Sequence, residues 1–143
     1  MSNYKGPYNS FSQNAEPIYN QSNIIGTVSQ SGGVPTGAII ERGSNANGEF
    51  VKYADGTMIC IAVVSHNFST INNSDHPYPA SFASTQDVSA AICFDTTNNS
   101  SRLTVLAQTF VMRGGNEQNW TVNNQLTRDE TLNVMLSAIG RWY

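Results

Sequence analysis

The side chains able to move protons or bind a metal are few and scattered. His66 and His76 lie ten residues apart across a segment rich in Asn, Ser and Thr, with no third ligand at metal-site spacing. Asp75 directly precedes His76, yet adjacent residues do not face each other as an orienting carboxylate and its imidazole must. Asp87, Asp95, Glu117 and Asp129 could supply paired carboxylates for glycoside cleavage, but each stands beside turn-forming residues, where carboxylates ordinarily serve as turn caps. Neither a nucleophile elbow nor a zincin helix, a P-loop or a dinucleotide-binding glycine pattern occurs in the chain. The expectation is a protein that is not an enzyme and that uses no cofactor and no metal.

What the sequence offers instead is a type of surface. The stretch 113–120 holds Arg113, Asn116 and Trp120 in one loop, a cation, an amide and an aromatic together. Such sets hydrogen-bond sugar hydroxyls and stack on their C–H faces, and the same residue types build adaptable protein-binding surfaces. Asp95, Tyr78 and His76 join them as candidates for glycan contact. The competing reading of 113–120 is a plain hairpin loop with Trp120 tucked into the core.

Composition supports a contact surface of low charge. Of 143 residues, 12% are charged, about half the usual fraction. Only 39% are hydrophobic, so Asn, Ser, Thr and Gln take the place of the missing charge. A net charge of −3 without a basic cluster excludes the electrostatic footprint of nucleic-acid binding. The longest apolar run, residues 58–64, is far short of the ~20 residues of a membrane-spanning helix. The opening of the chain does not read as a secretory signal.

The elements that would position this surface read as strands. Residues 1–30 form a polar head with scattered aromatics and no sustained periodicity, too poor in apolar surface to offset its own ordering. We read it as an extended arm lying on another protein, with Tyr4, Tyr8, Phe11 and Tyr19 as anchors; the alternative is a head folded back on its own domain. Residues 31–143 then form one domain, a size within the usual range. Asp55-Gly56 between residues 49–53 and 57–64 predicts a type I′ hairpin. Glu41, Arg42 and Gly43 close a short run ending at Ile40, and residues 65–75 read as a polar loop. Residues 88–94 alternate as a half-buried strand, and 103–112 read as a strand buried on both sides. Residues 131–140 fit both a helix, on Leu132, Met135, Leu136 and Ile139 with Gly140 as stop, and a strand, on Leu132, Val134, Leu136 and Ala138. Cys60 and Cys93 each sit in an apolar run as small hydrophobes, and whether they are neighbours is left open. About six short strands at regular spacing predict an antiparallel β-sandwich or barrel. Met58, Cys60, Ala62 and Val64 alternate with Ile59, Ile61 and Val63, so both faces of this strand are apolar and one needs a partner outside the sandwich.

One stretch carries a family resemblance. Residues 26–60, GTVSQSGGVPTGAIIERGSNANGEFVKYADGTMIC, resemble a segment of phage and prophage tail-fibre-type proteins that precedes a small domain similar to the H-type lectins. Pro79, Ala80, Ser81 and Phe82, and the closing Ala138, Ile139, Gly140, Arg141 and Trp142, are similar to what such fibre tips show further on. Where relatives carry a His shortly after the Ile-Cys pair, this chain continues Ile61, Ala62, Val63. The resemblance implies an all-β, H-type-lectin-like antiparallel β-sandwich, a homotrimer and a strand at 131–140. It further implies a virion location after assembly in the host cytoplasm, an arm at 1–30 that attaches to other virion proteins, and recognition of host-surface polysaccharide. The rival reading is a structural head-decoration, collar or baseplate adaptor protein without receptor binding.

Overall fold

The computed structural model describes residues 20–84, 86–94, 109–113, 117–124 and 131–143. Within them the chain is all-β and every pairing between its strands is antiparallel. A two-stranded hairpin, β1 (Gln30–Ser31) and β2 (Val34–Pro35), comes first. Then β3 (Ile40–Asn45), β4 (Gly48–Tyr53) and β5 (Thr57–Asn67) form a meander. Next come β6 (Asn72–Pro77), β7 (Ser89–Phe94), β8 (Thr109–Arg113), β9 (Asn119–Asn124) and β10 (Thr131–Arg141). One sheet has the order β3-β4-β5-β10-β7 and the other β6-β9-β8.

Segment 131–141 is a strand. It pairs with β5 over the full length of both, from Thr131 opposite Asn67 to Arg141 opposite Thr57. The buried set is the strand set, Leu132, Val134, Leu136 and Ala138, while Met135 and Ile139 of the helix set stay 48% exposed. Gly140 is no helix stop either: a Cβ there would come within 2.9 Å of the Phe82 ring.

The β4–β5 hairpin forms where Asp55-Gly56 announces it, with a different turn. Gly56 takes φ +91° while Asp55 stays at negative φ, so the loop is not type I′. The Gly56 N–H donates to the Tyr53 carbonyl at 3.0 Å, and the Asp55 carboxylate accepts from the Thr57 N–H at 2.8 Å. That N–H bond holds the Asp55 carboxyl below its ordinary range.

Two boundaries differ from the sequence expectation. Glu41, Arg42 and Gly43 continue β3 rather than closing it, since each finds a partner on β4. Of the polar stretch 65–75, only 68–71 is loop. Residues 65–67 extend β5 against β10, and Asn72 opens β6. Strand β6 has no apolar alternation and is held by its pairing to β9. Thr121 donates to Asp75 at 2.7 Å, and Asn123 donates to Asn73, across that pair.

The two larger sheets share one core. Met58, Cys60 and Ala62 of β5 and the inner row of β10 meet Trp120 and Val122 of β9, with Phe68, Tyr78, Phe82 and Val88 filling in from the connections. The later part of the segment read as an arm lies on β3: the Gly26 N–H donates to the Ile40 carbonyl at 2.9 Å, and Val28 is buried with its N–H on Glu41 at 3.0 Å. Tyr4, Tyr8, Phe11 and Tyr19 lie outside the described residues.

Cys60 and Cys93 are not neighbours. Strand β10 separates their strands, and Cys60 is buried on the inner face whereas Cys93 is exposed. Burial pushes the Cys60 thiol up to about 11, so it behaves as a small hydrophobe.

Candidate functional site

The sequence places its best contact surface between β8 and β9. The structure pairs Arg113 with Trp120 at the end of that hairpin, so the two strands bring the ends of the loop together. Asn116 and Asp95 lie outside the described residues. Trp120 is fully buried. Its alternation with Val122 and Asn124 along β9 turns it into the core, the plain-hairpin reading of this loop. Its ring meets Tyr78 at 4.5 Å, edge to face, and Tyr78 meets Phe82 at 4.9 Å in the same way. Tyr78 is also buried, and burial pushes its hydroxyl up to about 12. Within one subunit neither ring is open to a ligand, so both act as packing that ties the connection 78–82 beneath β9. Two backbone bonds reinforce that tie, from the Tyr78 N–H to Gln118 and from the Phe82 N–H to Glu117.

The two histidines, far apart in sequence, meet in space. His66 Nδ1 is 3.4 Å from His76 Nε2, with ring centroids 5.7 Å apart. Asp75 plays no part in orienting His76: strand alternation turns it to Thr121 on the opposite face. That geometry removes a Ser-His-Asp arrangement through the Asp75-His76 pair. Among the described residues no third His, Cys, Asp or Glu joins the two imidazoles in a set able to hold a metal. Asp87 is exposed and Glu117 half-buried at the β8–β9 turn, and Asp129 lies outside the described residues.

The most distinctive surface lies on the outer side of the five-stranded sheet. Val63 is 65% exposed and Ile61 44% on β5, beside Met135 and Ile139 on β10. Register sets Met135 opposite Val63 and Ile139 opposite Ile59, and Cys93 of β7 opposite Met135. An apolar patch thus faces away from the core, with Ser137 opposite Ile61 inside it and Glu49, Ser65 and Asn133 at its rim. Its β5 half was legible in the alternation of residues 58–64. The β10 half was hidden by the helix–strand ambiguity, which the register with β5 resolves.

The carboxyl end carries an aromatic pair, Trp142 and Tyr143, and Trp142 packs against the core. Trp142 donates its indole N–H to the Tyr53 carbonyl at 2.8 Å, and the Tyr143 hydroxyl reaches the Ala54 carbonyl at 3.2 Å. Lys52 sits 5.6 Å from the Trp142 ring and Arg141 5.4 Å from the Tyr143 ring. These contacts clamp residues 142–143 onto the Asp55-Gly56 turn.

No protein family matches the chain, and no curated protein matches it. Among solved structures it is similar to a C-terminal fragment of the P. aeruginosa R1 pyocin fiber, at 12% sequence identity and a TM-score of 0.44. The match covers 97% of this chain and 41% of that one, so the chain spans about two fifths of the fragment's length.

Proposed function

We propose that the chain is a non-enzymatic component of a phage fibre or spike. In this reading three copies associate through the outer face of the five-stranded sheet, and the H-type-lectin-like β domain contacts host-surface polysaccharide. The observation that carries the reading is the patch of Ile61, Val63, Met135 and Ile139, which a lone subunit leaves in water. A row of this kind along two paired eleven-residue strands fits burial between like copies, because strands of copies around an axis present the same row to one another. The resemblance of residues 26–60 to tail-fibre-type proteins supports the virion setting, with assembly in the host cytoplasm. The weakly charged, amide- and hydroxyl-rich surface supports a glycan as the external partner. Residues 1–30 are the proposed attachment to other virion proteins. Since residues 24–28 are engaged on β3, the attachment is assigned to the part before Ile24.

A structural reading competes, and one observation favours it: Trp120 and Tyr78, the aromatic candidates for stacking on sugar, are both buried. A head-decoration, collar or baseplate adaptor needs no such ring.

Two measurements test the proposal. Sedimentation of the full chain at micromolar concentration should give trimers, and Val63→Lys with Met135→Lys should give monomers that keep the fold. Native chain dispersed as single subunits overturns the assembly. On a glycan array the native trimer should bind host polysaccharide and Arg113→Ala should weaken it. Trimers that bind no glycan but still join particles support the adaptor.

A further inference from the structure

His66 occupies a position where the inner row of β5 calls for a hydrophobe. Met58, Cys60, Ala62 and Val64 precede it on the same face, Leu132 stands opposite it on β10, and it is only 2% exposed. The chain leaves the five-stranded sheet just beyond it, turns through residues 68–71 and enters the three-stranded sheet as β6. Among the side-chain ties at this crossover are two that reach other strands. Asn124 of β9 donates its amide to the Thr70 carbonyl at 2.8 Å and to the Phe68 carbonyl at 3.4 Å. The other tie is the contact of His66 on β5 with His76 on β6, which joins the two sheets directly.

Proton counting makes this second tie unusual. When both rings are neutral, four nitrogens share two protons, and the facing pair must hold one of them. If His66 Nδ1–H donates to His76 Nε2, the remaining proton rests on His76 Nδ1. His66 Nε2 is then a bare acceptor, and it is buried with no hydrogen-bond partner among the described residues. A third proton must go either to that buried Nε2, creating an N–H with nothing to receive it, or into the facing contact, setting two N–H groups against each other. Both outcomes are costly in a buried site.

The surroundings do not relieve that cost. Leu132 on β10, Phe68 on the crossover at 4.6 Å ring to ring, and Trp120 opposite His76 on β9 carry no titratable charge. Asp75, next to His76, is the acidic group that acts on the pair among the described residues, and it favours the charged form of His76 only. Burial first, and the His76 charge second, hold His66 below the ordinary imidazole range. Burial holds His76 low as well, against Asp75.

We propose that the His66–His76 contact is an acid-operated latch: neutral, it ties the three-stranded sheet to the five-stranded sheet at the crossover, and proton uptake releases residues 68–71. The direction follows from linkage. The unfolded chain takes up these protons near the ordinary value of about 6.5 and the folded pair only below it, so the latch is at full strength above that pH and weakens as pH falls through the window beneath it.

The test uses the full chain and needs no variant for its first arm. Imidazole resonances followed by NMR from pH 8 to 4 should show both rings neutral through the ordinary range. Amide protection at residues 68–71 should fall about tenfold per pH unit for each proton taken up, while the β5–β10 amides stay protected. In the second arm, His76→Gln, which keeps a facing hydrogen-bond group without a titrating one, should shift the loss of protection to lower pH. A His66 ring that titrates at its ordinary value with the crossover still protected overturns the latch. So does a His76→Gln protein with the native acid profile.

Discussion

Strands β5 and β10 carry two apolar rows back to back, and the subunit buries one of them. The inner row, Met58, Cys60 and Ala62 with Leu132, Val134, Leu136 and Ala138, is sealed by β9 and by Phe68, Tyr78 and Phe82 from the connections. The outer row, Ile61 and Val63 with Met135 and Ile139, has no such cover among the described residues and stays between 44% and 65% exposed. The outer row is interrupted by Ser137, opposite Ile61, but is otherwise apolar at these positions. What separates the two rows is the side on which the connections deliver their aromatics, so hydrophobicity shows that a face wants burial and topology decides what buries it.

Removing the lid of the inner row should disturb the fold most. Trp120→Ala should cost about 3–5 kcal/mol in unfolding free energy, read from urea denaturation, because the fully buried indole closes the contact between the sheets. An unchanged midpoint would place the ring at the surface and return it to the glycan site. Leu136→Ala, on the inner row, should cost about 2–5 kcal/mol in the same assay. Its neighbour Met135→Ala should change the stability of a separated subunit by no more than about 0.5 kcal/mol and show its effect in sedimentation instead. A large loss at Met135 in monomers would mean that the outer row is already covered within one chain. The polar ladder between β6 and β9 lies at the surface. Thr121→Val removes the bond to Asp75 at the surface and should cost about 1 kcal/mol or less, with the loss read in thermal melts.

Much of the five-stranded sheet was legible because its strands alternate. The run 57–64 and the Asp55-Gly56 signal locate β4 and β5 without tertiary information, and 88–94 overlaps β7. Strand β6 was not legible: Asn72, Asn73, Ser74, Asp75 and His76 carry no apolar period, and only a partner strand makes them β. The candidate site fared similarly. Arg113 and Trp120 do meet, as paired residues on β8 and β9, but pairing says nothing about which face a ring occupies. The alternation of Trp120 with Val122 was the available signal, and it points inward. His66 and His76 showed no spacing that foretold contact, since their approach depends on the chain reversing through residues 68–71 between two sheets.

By itself the sequence determined a strand-built, weakly charged domain with more apolar face than one core uses, because side-chain alternation and turn chemistry are local properties. Tertiary structure alone decided that residues 131–141 extend along β5 rather than coil, that Trp120 and Tyr78 face inward, and that two distant imidazoles share a buried contact. Each of these depends on which partner strand arrives and on which side the connections cross, and that information lies in the pairing of remote segments.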